Sequence, residues 1–128
     1  MVKQTTDGVQ ISVRTTYQPG YSRPSKSHYV FTYEITIENK SEFSIQLLRR
    51  HWFIYDSDGQ IRQVEGEGVV GLQPIIAPGQ IHQYVSGSNL KTDIGKMSGT
   101  YLMERIVDGS QFLVTIPDFV LIPQYKLN

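Results

Sequence analysis

Tyr29, Phe31, Tyr33, Ile35 and Ile37 occupy consecutive odd positions, and polar Thr32, Glu34, Thr36 and Glu38 stand between and after them. Between Pro24 and Gly59 there is neither glycine nor proline, so nothing local prevents a helix. The period does. Aromatic and β-branched residues repeating every second position make a strand with one face in a core. The same alternation runs through Val9, Ile11, Val13 and Tyr17, with Gln10, Ser12, Arg14 and Gln18 opposite. A third strand is expected over 43–55. Its alternation slips at Leu47-Leu48, as a β-bulge produces, and Leu48, Trp52 and Ile54 are then expected to share the inward face with Arg50.

Asp56-Ser57-Asp58-Gly59 reads as a hairpin turn into a strand over 60–67. Further strands are expected over 81–86, 100–107 and 112–116, with a turn-rich loop from Gly87 to Gly95. A last edge strand over 119–122 is bracketed by Pro117 and Pro123. Residues 1–7 read as an N-terminal arm and 123–128 as a tail. Seven to eight short strands without a ten-residue helical segment imply an all-β, two-sheet antiparallel sandwich, one domain over residues 1–128. A domain of this length buries about two-thirds of the surface of its unfolded chain. With 39% hydrophobic residues it needs no staple.

Composition removes several function classes. The chain has no cysteine, hence no disulfide, thiolate nucleophile or cysteine-based zinc site. Twelve basic residues balance twelve acidic ones, so the basic excess that phosphate binding demands is missing and no nucleic-acid partner is expected. The start, Met1 to Asp7, is polar and no apolar run approaches membrane-spanning length. A cytoplasmic protein without a membrane partner is therefore expected.

Gly66-Glu67-Gly68-Val69-Val70-Gly71 is a formal G-x-G-x-x-G. In a dinucleotide fold this motif opens a helix whose amides hold a pyrophosphate. Here Pro74 and Pro78 follow within eight residues, which leaves no room for that helix. Two readings remain: glycine amides of 66–71 that bind an anion, or a bend required by the sandwich. The bend is favoured, because glycine in β-proteins mostly marks bulges and close approaches.

The run Gly66–Gly79 (GEGVVGLQPIIAPG), followed by Tyr84, Ser86, Gly87, Thr92, Gly95, Met97, Gly99, Tyr101 and Met103, resembles the bacterial ApaG family. Arg50-His51-Trp52-Phe53-Ile54 and Ile116-Pro117-Asp118-Phe119 fit the same family. The resemblance spans nearly the whole chain and implies a fibronectin-type-III-like (immunoglobulin-like) sandwich. It also implies a link to cobalt and magnesium efflux or resistance, and an interaction module of the kind seen in eukaryotic F-box proteins. It supplies no catalytic residues.

No site for chemistry emerges beside it. His28, His51 and His82 lack metal-ligand spacing, and Asp56-Ser57-Asp58-Gly59 lacks the later ligands of a calcium loop, so neither a metal nor a cofactor is expected. No G-x-S-x-G is present, and His82 stands about 13 Å from Ser86 along a strand. No catalytic residues are assigned, and an enzyme is not expected. Arg50 falls on the inward face, where a charge must be paired or hydrogen-bonded. A structural arginine bound to carbonyls is favoured over one that binds an anion beside the glycine run. Arg49, on the opposite face, is freer to bind a ligand. Two functions stand at this stage: a non-catalytic domain that engages a protein partner, its own second copy included, and a binder of pyrophosphate or nucleotide through Gly66, Gly68, Gly71, Arg49 and Arg50.

Overall fold

The computed structural model describes residues 1–126. Nine strands are present: β1 Val2–Thr6, β2 Val9–Tyr17, β3 Tyr29–Asn39, β4 Ile45–Asp56, β5 Ile61–Glu67, β6 Ile75–Ile76, β7 Ile81–Leu90, β8 Gly95–Arg105 and β9 Gln111–Leu121. One sheet runs β1-β2-β3-β7. The other runs β5-β4-β8-β9, with β6 added on β4, and every pairing is antiparallel. Period two explains the packing directly. The odd positions of β2 and β3 (Val9, Ile11, Val13; Phe31, Tyr33, Ile35, Ile37) are buried against Leu47, Trp52, Met97, Tyr101, Ile116 and Phe119 of the facing sheet. The expected sandwich is present.

Several boundaries differ from expectation. The N-terminal arm is strand β1, joined to β2 by a two-residue Asp7-Gly8 turn with φ of 48° and 80°. Both central residues lie at positive φ, the conformation whose twist suits a tight hairpin, and Asp-Gly is a favoured pair for it. The loop expected over 87–95 is mostly strand. β7 continues to Leu90 and β8 starts at Gly95, because Asp56 accepts from the Lys91 and Thr92 amides and closes the connection in four residues. The two strands expected on either side of Pro117 are one, β9. Its register against β8 shifts between Met97 and Gly99, which leaves Pro117-Asp118 in a bulge of an edge strand, where proline breaks no ladder bond. Of the tail, Gln124–Lys126 forms a 3-10 turn, and residues 127 and 128 lie outside the described residues.

Asn39 is the one buried polar residue of the core among the described residues. Its Nδ2 donates to the carbonyls of Phe43 (2.7 Å) and Ile76 (2.9 Å), and its Oδ1 accepts from the Ser41 amide and hydroxyl. A fully bonded amide ties the 39–43 turn to β6 without an unsatisfied group.

Candidate functional site

The bulge in β4 builds the site. Ile45 and Leu47 point into the core, and the register against β8 then shifts between Leu47 and Arg49. One extra residue reverses the alternation, so Arg50, Trp52 and Ile54 face inward where Arg49, His51 and Phe53 otherwise would. Leu47, not Leu48, fills the core; Leu48 is the bulged residue itself and stays half-exposed, which corrects the expected inward set. Its carbonyl accepts from the Gly68 amide (2.8 Å) and from Gln73 Nε2 (3.0 Å), so the glycine run is anchored on the bulge.

Hairpin pairing sets Arg49 opposite Glu67, Arg50 opposite Gly66 and His51 opposite Glu65. Arg49 and Arg50 therefore lie on opposite faces of the sheet. On the outer face His51 Nδ1 sits 3.2 Å from Glu65 Oε1, and its other ring nitrogen is 3.0 Å from Gln63. On the inner face the Arg50 guanidinium lies flat over Gly66, where a Cβ would come within 2.8 Å of both terminal nitrogens. Arg50 Nη1 donates to the carbonyls of Glu67 (2.9 Å) and Gly68 (3.1 Å).

The glycine run bends the chain. Gly68 has φ of 62°, and a Cβ there would stand 2.1 Å from the Leu72 carbonyl oxygen. Val69 and Leu72 exchange both backbone hydrogen bonds across a two-residue turn, Val70 (φ 47°) and Gly71 (φ 76°). Valine at positive φ is strained, since its branched Cβ crowds the backbone. The amides of Gly68 and Val69 are spent on carbonyls, and Gly71 stands apart in open space. Gly66, Gly68 and Gly71 are not brought together as a cradle of amides.

A slot of about 360 Å³ opens between the sheets on the side where β5 and β7 are unpaired edges. Tyr33, Arg50, Trp52, Tyr84, Ser86 and the Val69–Gly71 turn line it. Register places His82, Tyr84, Ser86 and Ser88 of β7 on the inward face, opposite Ile37, Ile35, Tyr33 and Phe31. The Tyr84 and Tyr101 hydroxyls are hydrogen-bonded to each other, and burial pushes the phenols of Tyr33, Tyr84 and Tyr101 up from the usual tyrosine range, against the opposing pull of Arg50. Trp52 packs edge-on to Tyr33 at 5.3 Å between centroids and to Phe119 at 5.9 Å. Farther along the same opening Arg62 donates to the Asn89 carbonyl and ties β5 to β7.

Of the residues singled out in the sequence, the structure brings Arg50 and Gly71 to this slot and leaves Arg49 outside it. Tyr33, Tyr84 and Ser86 stand outside the expected ligand-binding set. For Tyr84 and Ser86 the available signal is polar and aromatic residues at alternate positions of 82–88, where an inward strand face normally carries aliphatics.

Comparison with known proteins follows the same outline. Residues 19–105 match the family model described as the ApaG domain. The chain is 45% identical to Protein ApaG of Paramagnetospirillum magneticum over 121 residues, covering 94% of this chain and 92% of that one. It is 49% identical to Protein ApaG of Pseudomonas paraeruginosa over 113 residues, covering 88% and 89%. Among solved structures, the ApaA protein from Bordetella pertussis superposes with a TM-score of 0.88 at 40% identity, covering 91% of this chain and 94% of that one.

Proposed function

The chain belongs to the ApaG domain family, and from that premise we propose that it is a non-catalytic cytoplasmic binding domain that engages a protein partner along its β5–β7 side. The observation that carries this reading is the concentration of exposed aliphatic side chains there. Ile61 on β5, Val70 and Leu72 in the tight turn, Ile75 on β6, and Ile81 and Val85 on β7 all stand more than half exposed. Exposed aliphatics gathered around two unpaired sheet edges favour a strand or loop of another protein as the occupant. Charge supports the same side, because β7 carries no Asp, Glu, Lys or Arg to repel a neighbouring strand. The cobalt and magnesium connection implied by the family resemblance is then an effect exerted through the partner. The histidines fit that view: His51 is engaged by Glu65 and Gln63, and His82 packs at a tilt against Tyr84.

Affinity capture with the tagged protein, repeated with Val85→Asp and with Leu113→Asp on exposed β9, tests the reading. Proteins retained by the wild type and by Leu113→Asp are expected to be lost from Val85→Asp. Equal retention by all three, with purified partner binding each alike, refutes the β5–β7 side as the interface.

A further inference from the structure

Most of the inter-sheet space is filled as the alternation demands, with apolar side chains in contact. The slot beside β7 is different, because Arg50, Tyr33, Tyr84 and Ser86 bring polar groups to it. Arg50 offers five N–H donors, and the described hydrogen bonds occupy only Nη1, on two backbone carbonyls. No carboxylate pairs with Arg50 among the described residues. Glu67 contributes its carbonyl, and alternation turns its side chain to the outer face with Arg49. A guanidinium that faces a cleft with unspent donors and no counter-charge is a recognition group in search of an anion.

The surroundings narrow the anion. Tyr33 and Ser86 are register partners on the inward face and both line the slot, with Tyr84 beside them. Ser88, two positions along the same inward face, has a buried hydroxyl with no protein partner among the described residues, an arrangement that a folded chain normally avoids. The Tyr33 and Ser86 hydroxyls at the slot and one guanidinium edge suit a planar monoanion. A phosphoryl dianion prefers several amides or a second cation, and the amides of Gly68 and Val69 are already engaged. The remaining walls are the rings of Tyr33 and Trp52, and the mouth is flanked by Val70 and Val85. They suit an apolar body behind the charged group.

We propose that the β5–β7 slot is a carboxylate-binding site in which Arg50 takes the carboxylate, the Tyr33 and Ser86 hydroxyls orient it, and the Trp52 and Tyr33 rings with Val70 receive an apolar substituent. The carboxylate comes either from a free small molecule or from the C-terminus of a peptide chain, and both present the same group to Arg50. The site does not require the protein-partner reading, and a free ligand would occupy it without any partner.

Trp52 is the sole tryptophan and lines the slot, so its fluorescence reports on the site directly. The probes are phenylacetate, N-acetyl-valyl-phenylalanine with a free C-terminus, the same dipeptide as its C-terminal amide, and inorganic phosphate. Saturable emission changes are expected with the two carboxylates, and none with the amide. Phosphate is expected to bind at least about tenfold more weakly, lacking a second cation. Arg50→Lys keeps the charge but loses the fork and is expected to weaken carboxylate binding about tenfold or more. Tyr33→Phe and Ser86→Ala, which leave the carbonyl contacts of Arg50 intact, are expected to weaken it several-fold, and Arg49→Gln to leave it unchanged. Thermal melts of each variant separate lost binding from lost fold. Tighter binding of the dipeptide acid than of phenylacetate assigns the source to a chain terminus, and the reverse to a free molecule; either supports the site. The proposal is overturned by absence of saturable binding of both carboxylates up to about 10 mM, by equal binding of the amide, by preference for phosphate, or by a loss in Arg49→Gln equal to that in Arg50→Lys.

Discussion

The two open sides of this sandwich are built in opposite ways. Where β1 meets β9 the sheets close on each other: the Thr115 amide donates to Thr6 Oγ1 at 3.3 Å, and behind it the apolar Val9, Ile11, Val13, Val114 and Ile116 are buried. Where β5 faces β7 the sheets stay apart, and the inward positions carry Arg50, Arg62, Tyr84, Ser86 and Ser88. One side is a dry seam that stabilises by area. The other exposes edges, strains Val70 and leaves a hydroxyl unsatisfied, features that cost stability and recur at sites of function. The difference teaches that the fold's stability and its proposed recognition surface lie on opposite sides of one core, with the aromatic set around Trp52 between them.

If Trp52 separates the two sides, its removal is the largest single blow. Only 3% exposed and packed on Tyr33, Tyr101 and Phe119, Trp52→Ala is expected to cost roughly 3–5 kcal/mol in urea or thermal unfolding. A loss below about 1 kcal/mol would mean that the slot penetrates the core and that the two sides are not separate. Gly68→Ala comes next, at about 1–3 kcal/mol, because the new Cβ meets the Leu72 carbonyl at 2.1 Å in a backbone conformation that disfavours it. An unchanged melting temperature would contradict the bend. The smallest effect has the opposite sign. Ser88→Ala removes a buried hydroxyl without a partner and is expected to be neutral or to stabilise by up to about 1 kcal/mol. Destabilisation of that size would show Ser88 satisfied in solution and the slot less polar in its demands than the dry seam is apolar.

Legibility followed the same division. On the dry side the odd positions of β2 and β3 are buried as their period requires, since a strand with one core face has a single way to orient its side chains. The slip at Leu47-Leu48 was also visible, and with it the inward turn of Arg50, because a bulge leaves its mark in the hydrophobic pattern. The hairpin turn at Asp56–Gly59 was legible too, and pairing across it sets Arg49–His51 opposite 65–67. What misled were turn-forming residues read one at a time. Gly87, Gly95 and Gly99 lie inside strands: a Cβ at Gly95 would meet the Tyr55 carbonyl at 2.5 Å, and one at Gly99 the His51 carbonyl at 2.3 Å. Only the neighbouring strand makes those glycines necessary.

By itself, then, the sequence determined the strand class, the sandwich, the bulge and the inward placement of one arginine, all consequences of local period and turn chemistry. The tertiary structure decided which strands became edges and which side of the sandwich stayed open. It assigned Gly66 to cover a guanidinium and Gly68 to a bend, and it brought Tyr33 from β3 and Tyr84 and Ser86 from β7 to Arg50 on β4. Arg50 stands 17 positions from Tyr33 in the chain, and Ser86 stands 53 positions from it. Their meeting depends on the order of strands across two sheets, a long-range pairing choice that no window of local pattern contains.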